Sequence, residues 1–226
     1  MIYYPILLNL ADVRCVIVGG GEVARRKIHH LLEAGARLLV CAPRVHPRIA
    51  QWALDGALDL RRQSYRREIL DPPPRLVFAC TDEPKVNRKV VADARAIGVP
   101  CNAAEDQASG DFHVPSMVRR GSLLLTVSTG GLAPALSREI CHRLEQQFGP
   151  AWGDFAQLLG RLREEWKSRG EAELIHQRML EIIASDVFEV LQARGRQAAL
   201  ARIDALIESR PPRRAAKRLT RSRRSA

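Results

Sequence analysis

Short apolar runs closed by glycine or proline alternate with longer stretches of helical period over the first half of the chain. RCVIVGG (Arg14–Gly20) is a β-branched run ending in glycine, which suits a strand buried on both faces. EVARRKIHHLLEAGA follows with Val23, Ile28, Leu31 and Leu32 near one helical face, and Gly35 stops it. RLLVCAP reads as a second strand closed by Pro43, HPRIAQWALDGA as a helix and LDLRR as a short strand. Pro72–Pro73–Pro74 breaks the chain before RLVFACTD, a further buried strand. EPKVNRKVVADARAIG reads as a helix with Pro84 in its first turn, and VPCNA as another strand. The repeated strand–helix–strand order predicts an α/β fold: a Rossmann-like, mostly parallel sheet with helices on both faces.

After Pro115 the pattern changes. SLLLTVSTGG predicts a strand running into a glycine turn, and LAPALSREICHRLEQQF a helix with Pro134 in its first turn. From about Pro150 onward strands disappear. AWGDFAQLLGRLREEWKSRG, EAELIHQRMLEIIASDVFEVLQARG and RQAALARIDALIESR are amphipathic helical runs separated by glycines. Such helices need a partner, so they are expected to pack on the first domain or on a second subunit.

Composition changes this picture in a few places. At 226 residues and 46% hydrophobic content the chain can bury a real core. No apolar run approaches the roughly 20 residues of a membrane-spanning helix. The N-terminus lacks the basic and small-residue signature of a secretory signal, so the expected location is the cytoplasm, with no membrane partner. The net charge of +11 is concentrated: residues 210–226 hold eight of the 36 basic residues and no acid, leaving 28 basic against 25 acidic residues before them. That body charge of +3 does not describe a specific nucleic-acid module. The tail reads as disordered and solubilising, with scope for non-specific anionic contacts. Cys15, Cys41, Cys80, Cys101 and Cys141 form no C-x-x-C pair and are odd in number, so buried reduced thiols are expected. The six histidines lack metal-ligand spacing, and no metal site is expected; His113 reads as a strand histidine satisfied by a neighbour.

Candidate chemistry begins at Gly19–Gly20–Gly21–Glu22–Val23–Ala24, a G-x-G-x-x-G/A match placed directly after a strand and opening a helix. In that setting Gly19 and Gly21 allow a tight turn and close approach of backbone to a pyrophosphate, and the helix N-terminus offers N–H donors and a positive dipole. The second strand ends Cys41–Ala42–Pro43–Arg44, without the acid that holds a ribose 2′-hydroxyl. Arg44 suits a 2′-phosphate, so the turn alone leaves NAD and NADP open. A second candidate is CNAAEDQASGDFHVPS, in which Glu105 and Asp106 stand side by side in a stretch without helical or strand period.

Together three segments resemble one family. VIVGGGEVARRKIHHLLEAGA is similar to the V-G-G-G-x-V-A-x-R-K segment of the siroheme-synthase N-terminal family, the precorrin-2 dehydrogenases. CNAAEDQASGDFHVPS resembles its N-x-x-D-x-P…F…P segment, and LLLTVSTGGLAPALSREI its strand–S-[ST]-G-G segment. Order and spacing agree over about residues 1–150. The resemblance implies NAD-dependent oxidation of precorrin-2 to sirohydrochlorin, by a homodimer. It leaves two alternatives: an enzyme that also inserts ferrous iron, or a dinucleotide-sensing module without chemistry. In fused members a methyltransferase region follows, so methylation is expected to come from another protein.

The resemblance also implies an organisation and a set of roles. Residues 1–112 would form the NAD-binding Rossmann-like domain, 113–149 a dimerisation and substrate-binding segment, 150–209 the helical C-terminal domain and 210–226 the tail. Counting from Asn102, the family's catalytic aspartate falls on Glu105, one methylene longer, with Asp106 adjacent; the proline expected after them is Gln107. Gly19, Gly21, Glu22, Val23, Pro43 and Arg44 would lie against the dinucleotide, with Thr81 and Asp82 on the cofactor side. Ser116, Ser128, Thr129, Gly130 and Gly131 would serve the carboxylates of the tetrapyrrole, with Arg119, Arg120 and Arg138 as candidate cations.

Overall fold

The computed structural model describes residues 3–104 and 109–209. The chain divides into two compact units: Met1–Pro115 with Ser128–Ala135, and Ser116–Val127 with the residues from Leu136 onward.

The first unit is built on β1 (Arg14–Val18), β2 (Arg37–Cys41), β3 (Asp59–Arg61), β4 (Leu76–Ala79) and β5 (Cys101–Ala103). They form one parallel sheet in the order β3-β2-β1-β4-β5. The expected doubly wound α/β sheet is therefore present. β1, β2 and β4 are largely apolar runs because both faces are covered, whereas the edge strand β3, Asp59–Arg61, is mostly exposed. On one face Cys15, Ile17, Leu38, Val40 and Phe78 pack with Ile28 and Leu31 of α1 (Glu22–Glu33) and Ile49 and Trp52 of α2 (Pro47–Leu54). On the other, Val16, Val18, Val77 and Cys101 pack with Val90, Val91 and Ala94 of α3 (Pro84–Ala96) and with Ile69 and Leu70 of a short 3-10 turn. Each fully buried aliphatic side chain contributes about 1.5–3 kcal/mol, which is why the alternation along β1 is strict. The chain leaves β1 toward β2 and β3, then crosses back to β4 on the other side. The strand order reverses between β1 and β4, and open sheets of this kind hold ligands outside the carboxyl ends of the strands at that point.

Among its described residues the second unit holds a hairpin, most of one helix and three further helices. β6 (Ser116–Arg120) pairs antiparallel with β7 (Leu123–Val127) through Gly121, whose φ of +54° suits glycine. β6 was not expected from the sequence, because SMVRR carries its apolar residues next to two arginines. α4 (Pro134–Gln147) is followed by α5 (Ala151–Ser168), α6 (Ala172–Ile183) and α7 (Val187–Ser209). Phe155, Leu158, Leu162 and Trp166 of α5 share a core with Ile182, Leu191 and Ile203, and the Trp152 ring lies 4.2 Å from that of Phe188.

The single helical run expected over 171–195 is two helices. Ser185 breaks it: its hydroxyl donates to the Ile182 carbonyl at 2.7 Å and accepts from Val187 N–H at 3.3 Å. Side-chain hydroxyls compete with the helical ladder in this way. Gly195, at φ +79°, kinks α7. Among the described residues no helix is long and apolar enough to cross a membrane.

Candidate functional site

The glycine turn joins β1 to α1 at the point where the strand order reverses. A Cβ on Gly19 (φ +125°) would lie 2.3 Å from the Cys80 carbonyl oxygen, and one on Gly20 would lie 2.3 Å from that of Arg44. Both glycines are thus demanded by the backbones beyond β4 and β2. Gly21 is different. Its φ is −81°, any residue fits that conformation, and a Cβ there would meet nothing within 4 Å. The protein's own packing leaves open space in front of the α1 N-terminus, and Gly21 caps that helix without a side-chain hydrogen bond. The N–H groups of a helix's first turn, which lack partners within the helix, are what a pyrophosphate requires. Ala24, fully buried, stands at the last fingerprint position and lets α1 lie close to the sheet.

The rim of this turn holds the other cofactor-side candidates. Glu22 takes both Nε and Nη2 of Arg25, at 2.7 and 2.6 Å, which holds its carboxyl below the usual range. Val23 is 39% exposed, unusual for a valine on a helix facing a sheet and suited to an apolar ligand surface. Pro43 and Arg44 are exposed just past β2, and among the described residues Arg44 makes no ion pair. Thr81 and Asp82 follow β4. The Thr81 hydroxyl lies 2.8 Å from Oδ1 of Asn87, which is buried on α3. Lys27, one turn into α1, has its ammonium 5.8 Å from the Phe78 ring centre; burial lowers its pKa, and the nearby Cys80 thiol opposes that shift.

Glu105 and Asp106 lie outside the described residues. The chain on either side of them is fixed. Ala104 N–H donates to the Ala79 carbonyl at 3.0 Å. On the return, Asp111 exchanges backbone and side-chain bonds with Cys101: its N–H donates to the Cys101 carbonyl at 2.8 Å, and its Oδ2 accepts from Cys101 N–H at 2.9 Å. Arg95 of α3 donates to the Ser109 carbonyl at 2.7 Å and to Asp111 Oδ1 at 3.3 Å. Asn102 Nδ2 donates to the Phe112 carbonyl at 2.8 Å, while its Oδ1 is buried without a partner. Asp111, the third carboxylate of this stretch, is therefore engaged in holding the chain. His113 lies ahead of β6 rather than in a strand, and its Nε2 is 2.5 Å from the Tyr3 hydroxyl.

The Ser128–Gly131 turn belongs to the first unit. Gly130 and Gly131 have φ of +61° and +84°, which only glycine adopts easily. Ser128 Oγ accepts from Gly130 N–H at 3.1 Å and Thr129 Oγ1 from Ala133 N–H at 3.0 Å, so much of the turn's donor capacity closes on itself. The Tyr3 ring packs against Gly130. The remaining candidates belong to the second unit. Ser116 opens β6, and Arg119 and Arg138 are exposed without an ion pair to a described residue. Arg120 braces the fold, donating to the Phe148 carbonyl at 2.9 Å and to the Glu145 carbonyl at 3.4 Å, at the end of α4.

A family model for NAD(P)-binding domains matches residues 6–116, the stretch that builds the sheet and its crevice. A siroheme synthase of Chromobacterium violaceum is 40% identical over 169 residues, 75% of this chain and 36% of that one. A siroheme synthase of Edwardsiella ictaluri is 36% identical over 213 residues, 93% of this chain and 46% of that one. The solved structure of SirC, precorrin-2 dehydrogenase, superposes with a TM-score of 0.73 at 27% identity, covering 90% of this chain and all of that one. This chain is similar to siroheme synthases and to a precorrin-2 dehydrogenase. It spans less than half the length of the curated relatives it matches.

A match to NAD(P)-binding domains over residues 6–116 agrees with a dinucleotide at this turn. The Gly19–Gly21 turn and the α1 N-terminus would hold its pyrophosphate, and Val23, Pro43, Arg44, Thr81 and Asp82 surround the approach. Sequence reasoning missed Asn87, Asp111, Asn102 and Tyr3 as residues that shape the site. Asn87 left a readable signal. It occupies the same helical stripe as Val90, Val91 and Ala94, a polar residue on an apolar face. Asp111 and Tyr3 left none, since their partners lie 10 and 110 positions away.

Proposed function

We propose that this chain oxidises precorrin-2 to sirohydrochlorin with NAD. The observation that carries the reading is the open Gly21 position, a space the protein does not need for itself, at the switch point of a parallel sheet. Likeness to a precorrin-2 dehydrogenase along the whole of that structure supports it. NAD, when bound, supplies the acceptor for the hydride that leaves the tetrapyrrole.

The protein must also take a proton as the conjugation extends. Glu105 is the acceptor in this reading, with Asp106 beside it; the described chain beyond them is tied to β5 through Asp111 and Asn102 and to α3 through Arg95. A positioned carboxylate contributes on the order of 10²–10⁴ in rate. Ser128, Thr129, Gly130 and Gly131 of the first unit meet the substrate's carboxylates; Ser116, Arg119 and Arg138 keep that role as the resemblance implies it, and Arg120 contributes mainly by bracing α4. Two copies act together as a cytoplasmic dimer. Insertion of ferrous iron is a second reading, supported by the siroheme synthases among the relatives.

Anaerobic turnover of precorrin-2 with NAD, followed by sirohydrochlorin absorbance, tests the main reading. Glu105→Ala is expected to lose turnover by about two orders of magnitude while retaining NADH binding. If Asp106→Ala loses turnover and Glu105→Ala does not, the base is the neighbouring residue. Ferrous ion added to purified sirohydrochlorin separates chelation from oxidation, and absence of both activities leaves a dinucleotide-binding module.

A further inference from the structure

We propose that Asn87 is a positioning residue for the dinucleotide: its buried side-chain amide holds the Cys80–Thr81 peptide against Gly19 and so fixes the width of the crevice between β1 and β4. The inference rests on the reading that NAD occupies this crevice. It goes beyond that reading by assigning a role to a helix residue away from the fingerprint.

β4 ends at Ala79, and the last bond across to β1 is from Cys80 N–H to the Val18 carbonyl at 2.7 Å. Thr81 has no strand partner. The Asn87 amide takes that place. Its Oδ1 accepts from Thr81 N–H at 3.0 Å, and its Nδ2 donates to the Thr81 carbonyl at 2.8 Å. A single side chain thus pairs with both backbone groups of one residue, as a neighbouring strand would. The Thr81 hydroxyl also donates to Oδ1 at 2.8 Å and accepts from Glu83 N–H at 3.2 Å, which leads the chain into α3. Asn87 is only 7% exposed, so these bonds are shielded from competing water.

The peptide so held is the one that touches the glycine turn. A Cβ on Gly19 would sit 2.3 Å from the Cys80 oxygen and 2.9 Å from the Thr81 nitrogen. Gly19 and the Cys80–Thr81 peptide are therefore two sides of one contact, one fixed by β1 and the other by Asn87. Removing the amide leaves Thr81 N–H and C=O free to turn to water. The rim then drifts relative to the turn that meets the pyrophosphate. Other side chains of α3 on the same stripe, Val90 among them, pack in the apolar core against the sheet and offer Thr81 no hydrogen bond.

Fluorescence titration with NADH, paired with thermal melting, tests this without relying on turnover. Asn87→Ala is expected to weaken NADH about tenfold. Val90→Ala, a destabilising change on the same helix face, is expected to lower the melting temperature and leave NADH affinity as in the wild type. Asn87→Asp keeps the acceptor for Thr81 N–H and restores the donor only when protonated, which burial favours. Its NADH affinity is expected to recover between about pH 8 and about pH 6, where the wild type changes little. Wild-type affinity in Asn87→Ala, or equal losses in Asn87→Ala and Val90→Ala, overturns the inference. Should Asn87→Ala fail to fold, an Asn87→Asp variant with wild-type affinity at both pH values overturns it equally. Failure of the wild type to bind NADH instead overturns the cofactor reading on which the inference rests.

Discussion

Gly19 and Gly21 carry the same letter for different reasons, and a pair of substitutions separates them. Gly21→Val fits its φ and meets open space, so it is expected to leave the melting temperature nearly unchanged while blocking NADH by steric occlusion. Gly19→Ala is expected to lower stability and binding together, since it pushes a methyl into the Cys80 carbonyl at a φ of +125°. Melting curves and NADH titration of the two variants check this. The buried thiols give a second residue-scale expectation. Burial pushes Cys15 and Cys80 up to about 11 and Cys101 up to about 12, against about 8.5 in an unfolded chain. The folded state holds these protons more tightly. Stability is then fully present below roughly pH 8.5 and is lost as pH rises toward 11. Lys27 works in the opposite sense over part of that range, because its folded pKa is lowered, while Cys41 and Cys141, also raised by burial, add to the fall. Urea midpoints at about pH 8 and about pH 10.5 measure it. The glycines were legible in the sequence because their spacing follows a strand and opens a helix. Asn87 and Asp111 were not, because their roles depend on which distant backbone group lies opposite. For Glu105 and Asp106 the legible part is their place in the motif.

Among the elements, those of the parallel sheet were the easiest to foresee. Strands buried on both faces read as apolar runs, and β1 and β2 run into Gly19 and Pro43 where the chain turns. β6 escaped because two of its five residues are arginine. Arg120 shows why the arginines belong there: its guanidinium satisfies carbonyls at the C-terminal end of α4, which a helix leaves without internal partners. Arg120→Met is expected to lower stability by roughly 1–2 kcal/mol, read as a shift of the urea midpoint, with NADH affinity unaffected. α5 meets this hairpin through Gly153, where a Cβ would lie 2.5 Å from the Arg120 carbonyl oxygen. Gly153→Ala is accordingly expected to destabilise the second unit, as followed by tryptophan fluorescence from Trp152 and Trp166. The split of the 171–195 run into α6 and α7 reflects Ser185, whose hydroxyl competes locally with the ladder. That competition is invisible to an apolar period.

For the whole molecule, likeness to siroheme synthases and to a precorrin-2 dehydrogenase supports the proposed redox reaction, as does the geometry of the glycine turn. The first unit presents an open helix N-terminus at the switch point of a parallel sheet, with glycines where two other backbones press against the turn. The charge of the chain is carried largely by the residues after 209, so cofactor and substrate recognition must be sought in local groups rather than in a general basic field. The most direct test is the stoichiometry of anaerobic turnover, with NADH and sirohydrochlorin measured in the same cuvette from precorrin-2 and NAD. The account predicts one NADH per sirohydrochlorin with the wild-type protein and neither product with Gly21→Val. Sirohydrochlorin formed without NADH, or undiminished turnover by Gly21→Val, would contradict it.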